Sequence, residues 1–279
     1  MRIYRTERGD VVERHGVFHE LRGLPRDIET WRAHALRALE GGPERVADPR
    51  ALPLAPPLAT RPGKILALGK NFREHAAEFN EAVPEQPLFF CKLPETVIGS
   101  GQTVRVRPWY TQRVDHEVEL AVVIGRGGAD IPLEHALEHV AGYTVANDLT
   151  ARTLQGQDRE LKHPWLRAKN MDGFCPLGPC FVPRADADWA ALELSCRVEH
   201  ADGGSEARQR ASTRDLVVDV PHAIEWLSRH LTLHAGDLIL MGTPAGVGPL
   251  VDGDTVVCAI DAIGELRTRI ARPAAAVAP

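Results

Sequence analysis

VDHEVELAVVIG, residues 114–125, is apolar from Leu120 to Ile124 and closes on a glycine. Side chains alternate across a strand, so Asp115, Glu117 and Glu119 share one face, which Ala121 and Val123 continue as core. Glutamates two apart on a strand lie about 6.5 Å apart along it, and their side chains can converge on one point. Two half-buried carboxylates that close repel, so either one keeps a proton or a cation sits between them. The competing reading is a solvated strand end whose acids face water or pair with Arg105, Arg107 or Arg113.

A second acid bears on that choice. AGYTVANDLTAR (141–152) is another β pattern, and it ends in Asn147-Asp148 just where a strand gives way to a polar turn. Carboxylates from two strand ends, with no His or Cys at ligand spacing nearby, make an all-oxygen set. That set suits Mg²⁺, Mn²⁺ or Ca²⁺ rather than Zn²⁺.

Further out, the chain carries many short β segments: KILALG (64–69), LFFCKL (88–93), TVRV (103–106), ELSCRVEH (193–200), DLILMG (237–242), DTVVCAI (254–260) and LRTRI (266–270). Two helices stand among them. PLEHALEHVAG (132–142) stripes Leu133, Ala136, Leu137 and Val140, and DVPHAIEWLSRHL (219–231) stripes Val220, Ile224, Leu227 and Leu231. Helices that do not alternate regularly with strands argue against a doubly wound parallel sheet. The expected class is α+β and β-rich, a mixed β-sandwich or roll. Before it, RIYRTERGDVVERHGVFH (2–19) predicts a hairpin about a Gly-Asp turn, and Asp27 caps a helix carrying Ile28, Trp31, Ala35 and Leu39 that Gly41-Gly42 stops. A proline-rich linker follows from Pro43 to Gly63. Residues 1–60 are thus expected to be a small N-terminal domain with its linker, and 61–273 the main domain.

With 279 residues, 44% hydrophobic and 25% charged, the chain can bury a real core. A net charge of −5 offers no electrostatic case for nucleic acid or an anionic membrane. No apolar run reaches the roughly 18–20 residues of a membrane span, and MRIYRTERGD lacks a signal peptide's apolar region. The expectation is a cytoplasmic protein. Five scattered cysteines read as buried free thiols; Cys175 and Cys180 in CPLGPC have the wrong spacing for a Cys-x-x-Cys pair.

ILALGKNFREHAAE, RVDHEVELAVVIG, AGYTVANDLTAR, AKNMDGFCPLGP and GDLILMGTPAGVG, in that order, resemble the fumarylacetoacetate hydrolase superfamily over about residues 62–272. The resemblance implies a mixed β-roll catalytic domain, a homodimer, and a Mg²⁺- or Mn²⁺-dependent enzyme acting on a small 2-oxo acid. It implies that Glu117, Glu119 and Asp148 bind the metal, with Ca²⁺ able to stand in for it in crystals. It gives Asp115 no role. In NFREHAAEF (71–79) the resemblance marks a lid whose His75 and Glu78, one turn apart, orient water or substrate; an imidazole placed by a carboxylate suits that task, since it titrates near neutrality. Lys169, among Ala168, Phe174, Cys175 and Pro176, reads as partly buried and able to stabilise an oxyanion or enolate. Arg152 and Gln155 match positions that hold substrate oxygens. Thr243, in a glycine-rich loop without the Lys-Ser/Thr ending of a phosphate loop, matches one that binds the substrate carboxylate.

HALEH (135–139) also fits the His-x-x-Glu-His pattern of some zinc peptidases, against which stands a solvated helix face. The resemblance points to cleavage of a C–C bond in a 2,4-dioxo or related 2-oxo acid through an enolate, by an acylpyruvate hydrolase or an oxo-acid decarboxylase. The His75–Glu78 pair favours cleavage over isomerisation. LRAKNMDGFCPLGP, however, resembles members of aromatic-acid catabolism, so the alternative is a 2-hydroxyhepta-2,4-diene-1,7-dioate isomerase or 5-oxopent-3-ene-1,2,5-tricarboxylate decarboxylase. The non-enzyme alternative is a Ca²⁺-binding β domain.

Overall fold

A computed structural model describes residues 1–78, 82 and 84–272; Phe79, the last residue of the expected lid helix, and Pro273 lie outside them. The chain opens with β1 (Arg2–Thr6), β2 (Gly9–Arg14) and β3 (Val17–Leu21), followed by α1 (Trp31–Glu40). Then come β4 (Ile65–Gly69), α2 (Arg73–Glu78), β5 (Leu88–Lys92), β6 (Val97–Gly99), β7 (Thr103–Arg105), β8 (Val114–Asp115) and β9 (Val118–Ile124). After β10 (Val140–Asn147) and β11 (Thr150–Ala151) two helices intervene, α3 (Arg152–Glu160) and α4 (Leu166–Lys169). The remainder is β12 (Cys175–Pro183), β13 (Glu193–Glu199), β14 (Ser205–Ser212), α5 (Val220–His230), β15 (Leu238–Leu240), β16 (Thr255–Ile260) and β17 (Gly264–Ala271).

Among the described residues one sheet runs β3-β2-β1-β12-β10-β9-β15-β4-β5, with β6 beside β12, and a second runs β14-β13-β16-β17-β7. The two pack face to face, β9 and β10 against β13, β16 and β17. β9 is buried on both faces, which explains the unbroken apolar run from Leu120 to Ile124. Leu120, Val122 and Ile124 enter the core between the sheets with Leu194, Val256 and Leu266. Ala121 and Val123 pack on the other side with Ile65, Leu238, Trp31 and Ala35. The α+β, β-rich class therefore holds. Among the described residues no helix is long and apolar enough to cross a membrane.

Several local expectations change. The N-terminal hairpin is a three-stranded meander that turns before Gly9, and β1 pairs with β12 at Ile3↔Phe181, joining the main sheet. Residues 114–125 are two strands: β8 pairs with β11, and β9 with β10 and β15. The 132–142 helix is a 3₁₀ segment, Leu133–His139, because Val140 already belongs to β10. β12 was hidden by its prolines at 176, 179 and 183, which normally argue against a central strand. Cys91 is exposed rather than buried; the other four thiols are buried and free.

Candidate active site

Antiparallel pairing builds the centre. β9 runs out from the site and β10 runs into it, with Ala146 opposite Glu119 and Asn147 opposite Val118. One step beyond, the Asp148 N–H donates to the Glu117 carbonyl at 2.9 Å, so Asp148 faces Glu117 across the strands. Carboxylate oxygens of Glu117, Glu119 and Asp148 lie within 4.8 Å of one another, all three residues buried. Asn147 fixes the strand end, its Oδ1 accepting from the Glu117 N–H at 2.9 Å.

Cations converge on this cluster. Lys169, at the end of α4 and 2% exposed, donates from Nζ to Glu117 Oε2 at 2.7 Å and Asp148 Oδ2 at 2.6 Å. Burial alone would lower the Lys169 pKa, but Asp148 and Glu117 outweigh it and hold the ammonium charged. Arg152, opening α3, reaches Glu117 Oε1 at 2.5 Å and Gln155 Oε1 at 2.6 Å. Burial likewise opposes ionisation of Glu117, yet Lys169 and Arg152 hold its carboxyl well below the usual range. Glu119 has no ion pair among the described residues; its Oε2 accepts from the Gly242 N–H at 2.7 Å. Burial, then Asp148 and Glu117, push its pKa well above the carboxylate range. Gly242 can approach only because it has no Cβ: its φ is +88°, and a Cβ would stand 2.8 Å from Asn71 Cβ.

The triad forms one wall of a cavity of about 180 Å³ lined also by His75, Arg152, Gln155, Lys169 and Thr243. Eight of the nine expected residues thus meet there. The ninth, Glu78, supports from behind, its Oε2 3.1 Å from His75 Nδ1 and its Oε1 accepting from the Gly246 N–H at 3.2 Å. Thr243 Oγ1 accepts from Gln209 Nε2 at 2.8 Å, which leaves the hydroxyl hydrogen for a ligand. The peptidase pattern does not assemble: His135 pairs with exposed Glu138, while His139 Nδ1 lies 2.9 Å from the Arg126 carbonyl.

Three contributors escaped the sequence reading. Asp115, fully buried, binds Arg152 Nε at 2.7 Å and Arg113 Nε at 2.6 Å, and so positions the guanidinium on Glu117. Its place on the Glu117 face was visible, and so was Arg113 as a possible partner, but not Arg152. Lys92 lies 2.6 Å from Asp148 Oδ1 and donates to the Lys169 carbonyl; a lysine inside the apolar run LFFCKL was the available clue. Gln209, in a polar strand with no such clue, ties Thr243 to the Val118 N–H and to His116 on the far side of β9.

The donor set fits a divalent cation. It is all oxygen, and Glu119 has no ion pair among the described residues. Asp148 Oδ1 is ion-paired with Lys92 and receives no hydrogen bond among the described residues.

The model of the fumarylacetoacetate (FAA) hydrolase C-terminal domain matches residues 64–271, three-quarters of the chain. The chain belongs to the fumarylacetoacetate hydrolase family. It is an enzyme of that family, and its relatives include an oxaloacetate tautomerase of Bacillus subtilis, 41% identical over 75% of this chain and 70% of the relative. A mitochondrial oxaloacetate decarboxylase of Dictyostelium discoideum is 38% identical over 71% of this chain and 88% of its own. Among solved structures, fumarylpyruvate hydrolase of Pseudomonas aeruginosa in complex with Mn²⁺ and pyruvate superposes with a TM-score of 0.69. It is 36% identical, over 75% of this chain and 89% of that one.

Proposed function

We propose that this family member cleaves a C–C bond of a 2-oxo acid, as an acylpyruvate hydrolase or oxo-acid decarboxylase, with Mg²⁺ or Mn²⁺ held by Glu117, Glu119 and Asp148. The observation that carries the reading is three buried carboxylates on one cavity with a buried ammonium and a histidine–carboxylate pair. The Mn²⁺ and pyruvate of the Pseudomonas relative support the same ligand classes here.

When bound, a divalent ion supplies Lewis-acid stabilisation of negative charge developing on the 2-oxo oxygen. Lys169 is held cationic, so it acts as a donor to an oxyanion and not as a base. Arg152 and Gln155 orient the substrate oxygens, and Thr243 donates its hydroxyl hydrogen to the carboxylate. The Glu78 carboxylate accepts from His75 Nδ1–H, which leaves Nε2 as the basic nitrogen. In hydrolysis Nε2 takes a proton from water as its oxygen adds to the distal carbonyl. The C–C bond then breaks, its electron pair forms the enolate, and protonation gives pyruvate beside a carboxylic acid. Decarboxylation needs no water attack: CO₂ leaves and the same enolate is protonated.

The test is product analysis with acetylpyruvate and oxaloacetate, with EDTA and after Mg²⁺ or Mn²⁺ is restored. Ion-dependent formation of pyruvate is expected from at least one substrate, and none from either would overturn the reading. His75→Ala should lower acetylpyruvate hydrolysis by about 10²–10⁴ while ion binding persists. Full hydrolysis in that variant would remove the pair from the mechanism. The tautomerase name of the B. subtilis relative favours a second reading, proton transfer alone, in which oxaloacetate changes between keto and enol forms without being consumed.

A further inference from the structure

We infer that Cys196 and Cys258 form a site of reversible oxidation, a dithiol that hydrogen peroxide converts to a disulfide between β13 and β16. The two residues stand directly opposite in the antiparallel register, flanked on the same face by Leu194↔Ile260 and Val198↔Val256. Both belong to the core between the sheets and are at most 2% exposed. Directly opposed residues of an antiparallel pair have Cα atoms about 4.5 or 5.5 Å apart, inside the roughly 4.4–6.8 Å that a disulfide spans. On the β14 side the register shifts between Cys196 and Arg197, so at this point β13 is regularly paired to β16 alone.

A thiol buried in a core is ordinarily inert; Cys196 differs because of what faces it. Its Sγ lies 3.4 Å from Nδ1 of His116, a fully buried imidazole between β8 and β9. Gln209 decides which form of the ring the sulfur meets. Its Oε1 accepts from the Val118 N–H at 3.2 Å and its Nε2 donates to the Pro244 carbonyl at 2.8 Å, so two backbone groups fix the amide. An amide oxygen only accepts, and it lies 3.0 Å from His116 Nδ1, so Nδ1 carries a hydrogen. Cys196 therefore meets an N–H, which favours its thiolate. The Cys258 thiol, then His116 and Arg208, outweigh burial and hold Cys196 below the ordinary thiol range. Burial and Cys196 push Cys258 up, so one sulfur is the nucleophile and the other keeps its proton. By contrast, burial pushes Cys175 and Cys180 up to about 12.

The Cys196 thiolate attacks one oxygen of the peroxide, the O–O bond breaks, and a sulfenic acid forms with release of hydroxide. That hydroxide takes the Cys258 proton and becomes water. The Cys258 thiolate then attacks the sulfenic sulfur and the S–O bond breaks. The hydroxide that leaves takes up the proton Cys196 had released. Two thiols and one peroxide thus give a disulfide and two waters, each sulfur losing one electron. Burial sets the class of oxidant: a small neutral peroxide needs only a slight opening of the core, a peptide disulfide a large one.

The test uses the full chain carrying Cys91→Ser, which removes the exposed thiol and leaves the four buried ones. After peroxide treatment, quenching and unfolding without reductant, alkylation should count two thiols instead of four. Mass spectrometry should find the peptides of Cys196 and Cys258 joined with loss of two hydrogens, and dithiothreitol should return all four thiols. Glutathione disulfide should leave the folded chain reduced. With Cys258→Ala added, Cys196 should stop at the sulfenic acid and take up dimedone. His116→Leu should slow oxidation at least about tenfold, and His116→Asn, whose amide N–H can replace that of Nδ1, should keep part of the rate. Four thiols surviving a peroxide treatment that oxidises free cysteine at the same pH would overturn the proposal. So would oxidation of Cys175 and Cys180 as fast as of this pair, an equal rate with glutathione disulfide, or a rate indifferent to His116→Leu.

Discussion

Glu119→Gln is expected to lower turnover at least about a thousandfold and to abolish divalent-ion binding, while the ion-free protein stays folded. The amide keeps the size of the side chain and can still accept from the Gly242 N–H. It removes the one carboxylate of the triad that has no cationic partner among the described residues. In the ion-free protein Glu119 already favours its neutral form, because it is buried beside Asp148 and Glu117. Substitution by a neutral isostere therefore removes an electrostatic penalty rather than a support.

A pH signature follows from the sign of that shift. The folded chain holds a proton on Glu119 that the unfolded chain releases at the ordinary carboxylate range, so the folded state binds more protons across that interval. Stability of the wild type in EDTA should then fall as pH rises above the ordinary carboxylate range, at up to about 1.4 kcal/mol per pH unit from this group. Glu117 is shifted downward and acts only below that interval, and Lys169 is shifted upward and acts only above it. Thermal melts in EDTA should show the slope in wild type, its loss in Glu119→Gln, and its loss in wild type when Mg²⁺ is present. A slope equal in wild type and variant would show that Glu119 ionises normally.

How legible this site was in the sequence depends on the range of each interaction. Glu117 and Glu119 were readable because the period of a strand is local and the run that follows marks the buried end. Asp148 was readable as a strand-end carboxylate that could join an all-oxygen set, and the resemblance to the family then implied it as a ligand. Its position opposite Glu117 is a matter of register between β9 and β10, which no local pattern states. Lys92 and Gln209 come from strands remote in sequence, and their roles exist only once the sheets have closed. The prolines of β12 hid a central strand because intrinsic preference, a weak prior, opposed the tertiary context. Asp115 shows a different limit: its face was read correctly, but a buried carboxylate can hold an arginine in place as readily as it can hold an ion.

Asp148→Asn should produce a large loss of stability. Its carboxylate neutralises two ammonium groups at once, Lys169 at 2.6 Å and Lys92 at 2.6 Å, and all three residues are at most 2% exposed. The amide has the same shape but no charge. Lys169 then retains Glu117, whereas Lys92 retains, among the described residues, only the Lys169 carbonyl. Breaking a buried pair by removing one partner costs about 3–5 kcal/mol, a large share of the roughly 5–15 kcal/mol that holds a protein folded. Urea unfolding in EDTA should register that loss as a lower midpoint with an unchanged slope. Because the penalty is the uncompensated cation, Lys92→Met placed on top of Asp148→Asn should return much of the stability, and the double-mutant cycle should give a coupling of at least about 1 kcal/mol. The double variant should nonetheless stay inactive and fail to bind Mg²⁺. Additive effects of the two substitutions would show that Lys92 and Asp148 do not sense each other, and the buried charge pairing described for this site would then be wrong.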